Sequence, residues 1–289
     1  MADPIGSFAR SWRLIQESFD ILRSDGELLI LPAISGIATA ILVAFFVWAV
    51  LASGSFDPNA PDNANLSASL YVWLFLFYVV QYFIIIFFNT ALVGAALARL
   101  EGGDPTVSSA IALASQRIVP ILGYAIVSAT VGLVLRTFAE RLGFLGRLIG
   151  LGLELAWTVA TFLVVPVLAA EGLGPIAAVE KSSALLRTTW GENLVGSGGI
   201  AIILSVAAAV VAVLFGGGGA LLVADNYVPL AIVVFAAGAV LFLTVLLFGA
   251  ALTAIYSAAV YYFAVVGEPP RGFDRELIHS AFKTKPGKA

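Results

Sequence analysis

The sequence predicts an all-α fold, a polytopic membrane helix bundle of six transmembrane helices built as three parallel repeats of an amphipathic interfacial helix plus a transmembrane hairpin. Composition gives the first reason. Of 289 residues 61% are hydrophobic and 11% charged, whereas an ordinary soluble domain carries about 25% charged residues. The second reason is six long apolar tracts. The third is a recurring motif: Glu101-Gly102-Gly103-Asp104-Pro105 leads into a segment ending at Arg117, and Glu171-Gly172-Leu173-Gly174-Pro175 leads into one ending at Arg187, with Glu, first Gly, Pro and Arg in register. A weaker copy opens the chain, where Leu22-Arg23 to Glu27-Leu28 echoes Leu186-Arg187 to Glu192-Asn193-Leu194. The repeats run over 7–100, 101–170 and 171–266 of one membrane domain, followed by a tail at 267–289.

Each span must be helical, because a chain in hydrocarbon has to pair its backbone groups within the segment. The first is Leu28 to Ala52, with Pro32 near its start, where proline costs least. The second, Leu70 to Leu100, is about 46 Å of helix and must tilt or project. The third and fourth are Val119 to Leu135 and Leu148 to Ala170. The fifth runs from Leu194 to Phe215 and is expected to stop at Gly216-Gly217-Gly218-Gly219, which reads as a loop entrance because glycine propagates a helix poorly. The sixth, Pro229 to Val266, is too short for two crossings at about 57 Å and is expected to be one helix emerging from the membrane.

Charge sets the orientation. With the N-terminus, the even-numbered loops and the tail on one side, that side holds 12 basic residues and the other 3 (Arg136, Arg141 and Arg147). The positive-inside rule then makes both termini cytoplasmic. The loop from Ser53 to Ser69, with Asp57 and Asp62 and no base, faces outward. An even number of spans per repeat makes the copies parallel, with all three amphipathic segments on the cytoplasmic face.

Those segments carry the interfacial anchors Phe8, Trp12, Phe19, Arg23, Arg117, Arg187 and Trp190. In the first, Phe8, Trp12, Ile15, Phe19 and Leu22 recur at helical spacing opposite Arg10, Arg13, Glu17 and Asp20, the pattern of a helix lying flat. The second takes Asp104 as N-cap and Pro105 as first helical residue, with Val107, Ile111, Ala114 and Ile118 on one side. In the third, Ile176, Val179, Leu186 and Trp190 oppose Glu180, Lys181 and Arg187. Such helices serve either as a lipid-sensing or partner-docking collar or as braces at the headgroup level.

Few polar residues lie within the spans. Glu154 is the one ionisable group well inside an apolar tract, a position that marks a functional candidate by default. Its spacing from Arg147, Thr158 and Thr161 puts all four on one helical face. The alternative is structural: Glu154 pairs with Arg147 or Arg136 and tethers the connector between spans three and four. Gln81 and Asn89 share a face of span two and suit interhelical hydrogen bonds. Gly94, Ala95 and Ala98, with Gly196, Gly198 and Gly199, favour close helix packing. With no cysteine and a single histidine (His279), no metal site and no cofactor are expected. A net charge of -3 gives no basic field for nucleic acid, and the first 25 residues lack the apolar core of a signal peptide.

The stretch Tyr261-Tyr262 to Gly267-Glu268-Pro269-Pro270-Arg271-Gly272-Phe273-Asp274 and on to Ala281-Phe282, with Phe8-Ala9-Arg10-Ser11-Trp12 and Leu28 to Pro32, resembles an uncharacterised family of prokaryotic six-span membrane proteins. The alternation of amphipathic helix and membrane hairpin is also similar to the membrane domain beside some glycerophosphodiester phosphodiesterases, whose catalytic domain has no counterpart here. The first resemblance implies a multi-pass protein of the prokaryotic cell membrane and no particular activity. An accessory, scaffolding or biogenesis role is expected from the interfacial helices. A transporter or channel for a small or amphiphilic solute, using Glu154 and the glycine-rich break, is the alternative. No Ser/His, paired-carboxylate or metal-ligand set converges at one depth, so an enzyme is not expected. Partners are the lipid bilayer and a membrane protein or a second copy of the chain, not nucleic acid.

Overall fold

The computed structural model describes residues 16–23, 26–53, 68–141, 143–190 and 198–271, and among these every regular element is helical. In order they are α1 (16–23), a 3-10 turn at Gly26–Leu29, α2 (Ile30–Ala52), α3 (Ala68–Leu100), α4 (Val107–Gln116), α5 (Ile118–Arg141), α6 (Gly143–Ala160), α7 (Val164–Glu171), α8 (Pro175–Trp190), α9 (Gly198–Val211), a π-helical turn at Ala212–Gly217, α10 (Gly218–Ala224) and α11 (Val228–Val266). Six stretches are long and apolar enough to cross a membrane: Gly26–Ala52, Val72–Leu100, Ile118–Thr137, Leu148–Glu171, Leu204–Ala224 and Val228–Val266. Large apolar side chains stand exposed along them, with Ile41 at 64%, Trp48 at 63% and Val213 at 70% exposure. A surface of that kind needs lipid rather than water around it. The chain is a multi-pass membrane protein, all-helical over the described residues.

Two compact units form, one from the described residues of Met1–Leu29, Ala96–Gly103 and Arg187–Ala289, the other from Ile30–Ala95 and Asp104–Leu186. In the first unit α11 packs against α9, the π turn and α10. The expected stop at the four glycines does not occur. The helical path continues through Gly216 to Gly219 and reaches Ala224, because absent side chains there become packing space: a Cβ on Gly219 would meet the Phe235 ring at 2.5 Å. A Cβ on Gly238 would collide in the same way with Phe215, so phenylalanine fits into glycine in both directions across this hairpin. The helix stops where Asn226 takes a left-handed conformation (φ 64°) and the Tyr227 N–H reaches back to the Leu222 carbonyl at 2.8 Å, a standard helix C-terminal closure. The beginning expected for this span, around Leu194, lies outside the described residues. The sixth tract is one 39-residue helix, as its length required.

In the second unit α5 and α6 form a packed hairpin, and prolines set its interruptions. Pro120 cannot donate to the residue 116 carbonyl, and Pro166 cannot donate to that of residue 162. Helix α4 accordingly ends at Gln116, and the fourth span breaks over residues 161–163. The break leaves polar backbone inside an apolar segment, which is costly without a partner. Ser182 supplies one: its hydroxyl accepts from the Leu163 N–H at 3.1 Å and donates to the Ala160 carbonyl at 2.7 Å, and it is fully buried. Gln81 donates to the Thr39 hydroxyl at 3.2 Å, the interhelical bond that its place in span two called for.

The second, fourth and sixth spans each end on a glycine with positive φ: Gly102 (92°), Gly172 (63°) and Gly267 (78°). Glycine enters that region without the Cβ penalty other residues meet.

Candidate functional site

A half-open cavity of about 630 Å³ lies within the second unit, lined along its polar side by Tyr78, Tyr82, Arg136, Glu154, Trp157 and Thr158. Its volume falls within the range of small-molecule sites, about 300–1,000 Å³. Three elements build it. Helix α3 contributes the two tyrosines one helical turn apart, α5 contributes Gly132 and Arg136 from its second half, and α6 brings Glu154, Trp157 and Thr158 to one face through spacings of three and four. Gly132 keeps the wall open at Tyr82, where a Cβ would stand 3.3 Å from the phenol oxygen.

Within the cavity Arg136 donates to the Tyr78 hydroxyl at 3.3 Å, while Tyr82 lines the same space as Glu154. Glu154 is exposed into this space. Among the described residues no basic side chain forms an ion pair with it; the pairing expected with Arg136 is absent there, and the Arg147 side chain lies outside the described residues. A carboxylate in an apolar span is expensive to maintain, and the cavity supplies polar surroundings that tolerate it.

The expected four-residue stripe is shortened. Thr158 joins Glu154 in the cavity wall, but Thr161 sits in the turn after α6, its hydroxyl donating to the Trp157 carbonyl at 2.8 Å. The helical period that placed it on the Glu154 face ends at Ala160. Sequence reading missed Tyr78, Tyr82 and Trp157, because the cavity depends on three helices meeting and single aromatic residues are unremarkable in an apolar span. Among the described residues no three Asp, Glu, His or Cys side chains gather as a metal would need.

Residues 68–271 match the Family of unknown function (DUF6159), more than two-thirds of the chain. The chain belongs to that family. In this DUF6159 protein the matched segment contains the whole cavity, together with Arg117, Arg187 and Trp190, whereas Phe8, Trp12, Phe19 and Arg23 precede it. No curated protein and no solved structure matches the chain.

The anchors divide. Phe8 and Trp12 lie outside the described residues, as does the Trp190 side chain. Phe19 stacks on Phe248, ring centroids 6.2 Å apart, and Arg23 and Arg187 are exposed. The Arg117 guanidinium lies against Gly172, and its Nε is buried with no hydrogen-bond partner among the described residues. Asp104 is not the cap of the second amphipathic helix. Thr106 is, accepting from the Ser109 N–H at 3.2 Å while the Ser109 hydroxyl accepts from the Thr106 N–H at 3.0 Å. Pro105 therefore lies before the helix, and Ile118 belongs to α5. In α8 Lys181 turns back to pair with Glu171 at 2.6 Å.

Proposed function

We propose that this membrane protein binds a small or amphiphilic solute in the Glu154 cavity, as a transporter or channel does. The observation that carries the reading is the exposed carboxylate in an apolar span, lining a cavity of about 630 Å³ and lacking an ion-pair partner among the described residues. Of the two pairings a structural tether would use, the one with Arg136 is absent among the described residues. The remainder of the reading is three parallel repeats, a prokaryotic cell membrane as the resemblance implies, and both termini cytoplasmic, the last supported by the 12 to 3 division of basic residues. Single cysteines introduced as Ser55→Cys and Ser280→Cys into the cysteine-free chain are expected to react oppositely, with only the first labelled by an impermeant maleimide on intact cells. Equal labelling ends that topology.

An accessory or scaffolding role keeps support from α8, whose Ile176 is 60% exposed near its start. The two readings part on occupancy of the cavity. Native mass spectrometry of protein released from lipid nanodiscs is expected to show a small-molecule or lipid adduct on the wild type that is lost in Thr158→Trp, where the indole fills the space. Adducts unchanged by that substitution, or absent from the wild type, would return the scaffolding role to first place.

A further inference from the structure

The rings and the carboxylate in the cavity point to a class of ligand. Tyr78, Tyr82 and Trp157 line the same space as Glu154, and these are the groups that recognise an organic cation. An aromatic ring attracts a positive charge within about 6 Å of its centroid, most strongly when the pair is withdrawn from water. The Glu154 carboxylate beside these rings adds a group of the sign opposite to the cation's. An anionic solute would meet the like charge of the Glu154 carboxylate, and a strongly hydrated metal ion would prefer several oxygen ligands to three rings. Arg136 lines the cavity too, but its hydrogen bond runs to Tyr78 and it forms no ion pair with Glu154 among the described residues.

Resting on the reading of this cavity as a binding site, we propose that it takes an ammonium-bearing ligand, the cation held between Glu154 and the rings of Tyr78, Tyr82 and Trp157. The apolar helices around it, exposed at Leu133, Leu151 and Leu155, favour an ammonium attached to an alkyl chain over a free water-soluble amine.

The test is a titration of nanodisc-embedded protein, followed by intrinsic tryptophan fluorescence, with four probes: dodecyltrimethylammonium, a short-chain phosphatidylcholine, the phosphatidylglycerol with the same chains, and choline. The two ammonium amphiphiles are expected to bind, with choline much weaker and phosphatidylglycerol weakest. Glu154→Gln keeps the shape and removes the charge, and is expected to weaken both ammonium amphiphiles roughly tenfold or more, the scale of one charge-assisted contact, with little effect on phosphatidylglycerol. Choline binding as tightly as the amphiphiles would overturn the lipid-like source while leaving the ammonium site intact. Equal binding of all amphiphiles, insensitive to Glu154→Gln but lost in Thr158→Trp, would overturn the ammonium inference and leave the binding cavity standing. No binding by any probe, with wild-type mass-spectral adducts still present, would also overturn it. Thr158→Trp can be replaced by Gly132→Leu if the first variant fails to assemble.

Discussion

The chain leaves α3 through Glu101-Gly102-Gly103-Asp104-Pro105 and leaves α7 through Glu171-Gly172-Leu173-Gly174-Pro175, and up to the glycine the two exits agree. Gly102 and Gly172 both take the left-handed conformation, and each has an arginine guanidinium laid against it, Arg271 on Gly102 and Arg117 on Gly172. They then diverge. The first closes with two backbone bonds, Gly103 to Ala98 and Gly102 to Arg99, and the second with one, Gly172 to Leu168; these are the two common glycine closures. After that, α4 waits for Thr106 and Ser109 to cap it, whereas α8 starts directly on Pro175. Matching letters fixed the turn, but the next helix starts wherever a hydroxyl can satisfy its first N–H groups, and only the first connector has one in place.

The largest effect should come from the glycines. An alanine in the left-handed region costs about 1–2 kcal/mol, so Gly102→Ala should destabilise by roughly that amount, since the exposed Arg271 can swing aside. Gly172→Ala adds the displacement of a half-buried Arg117 and should cost about 2–3 kcal/mol in all, measured by unfolding in mixed detergent with SDS. In an Arg117→Ala background the two glycine substitutions should converge. If they stay apart there, the arginine is not what distinguishes the two exits.

The legibility of the chain follows from the range of each interaction. Spans one, two, three, four and six were readable because burial in lipid acts on every residue of a 20-residue tract, and the single long helix from Val228 followed from length alone. The end of span five was misread because glycine's low propensity is local, whereas the fit of Phe215 and Phe235 into Gly238 and Gly219 is tertiary and outweighs it. The break at residues 161–163 had a visible cause in Pro166, but its partner Ser182 lies 19 positions beyond Leu163. Glu154 stood out as a charge in an apolar tract. Its counterparts Tyr78 and Tyr82 did not, since nothing in one sequence says which face of α3 meets α6.

The smaller effect separates the two helix starts. Thr106→Ala removes one half of a reciprocal pair and should cost about 1 kcal/mol, the usual value of an N-cap. Pro105→Ala should be close to neutral, because Pro105 lies before the helix and contributes no helical φ to α4. Pro175→Ala, at the first helical position of α8, should cost a few tenths of a kcal/mol by giving up a ring whose fixed φ is pre-set for the helix. The ordering Thr106, then Pro175, then Pro105 can be read from the same SDS unfolding series, with far-ultraviolet circular dichroism confirming that helix content is kept. Aligned by sequence alone, the two prolines would be equivalent and both substitutions would cost the same. A Pro105→Ala penalty equal to that of Pro175→Ala would place the start of α4 at Pro105 and remove the difference between the connectors; a clear Thr106→Ala penalty with Pro105→Ala silent would tie that difference to one hydroxyl.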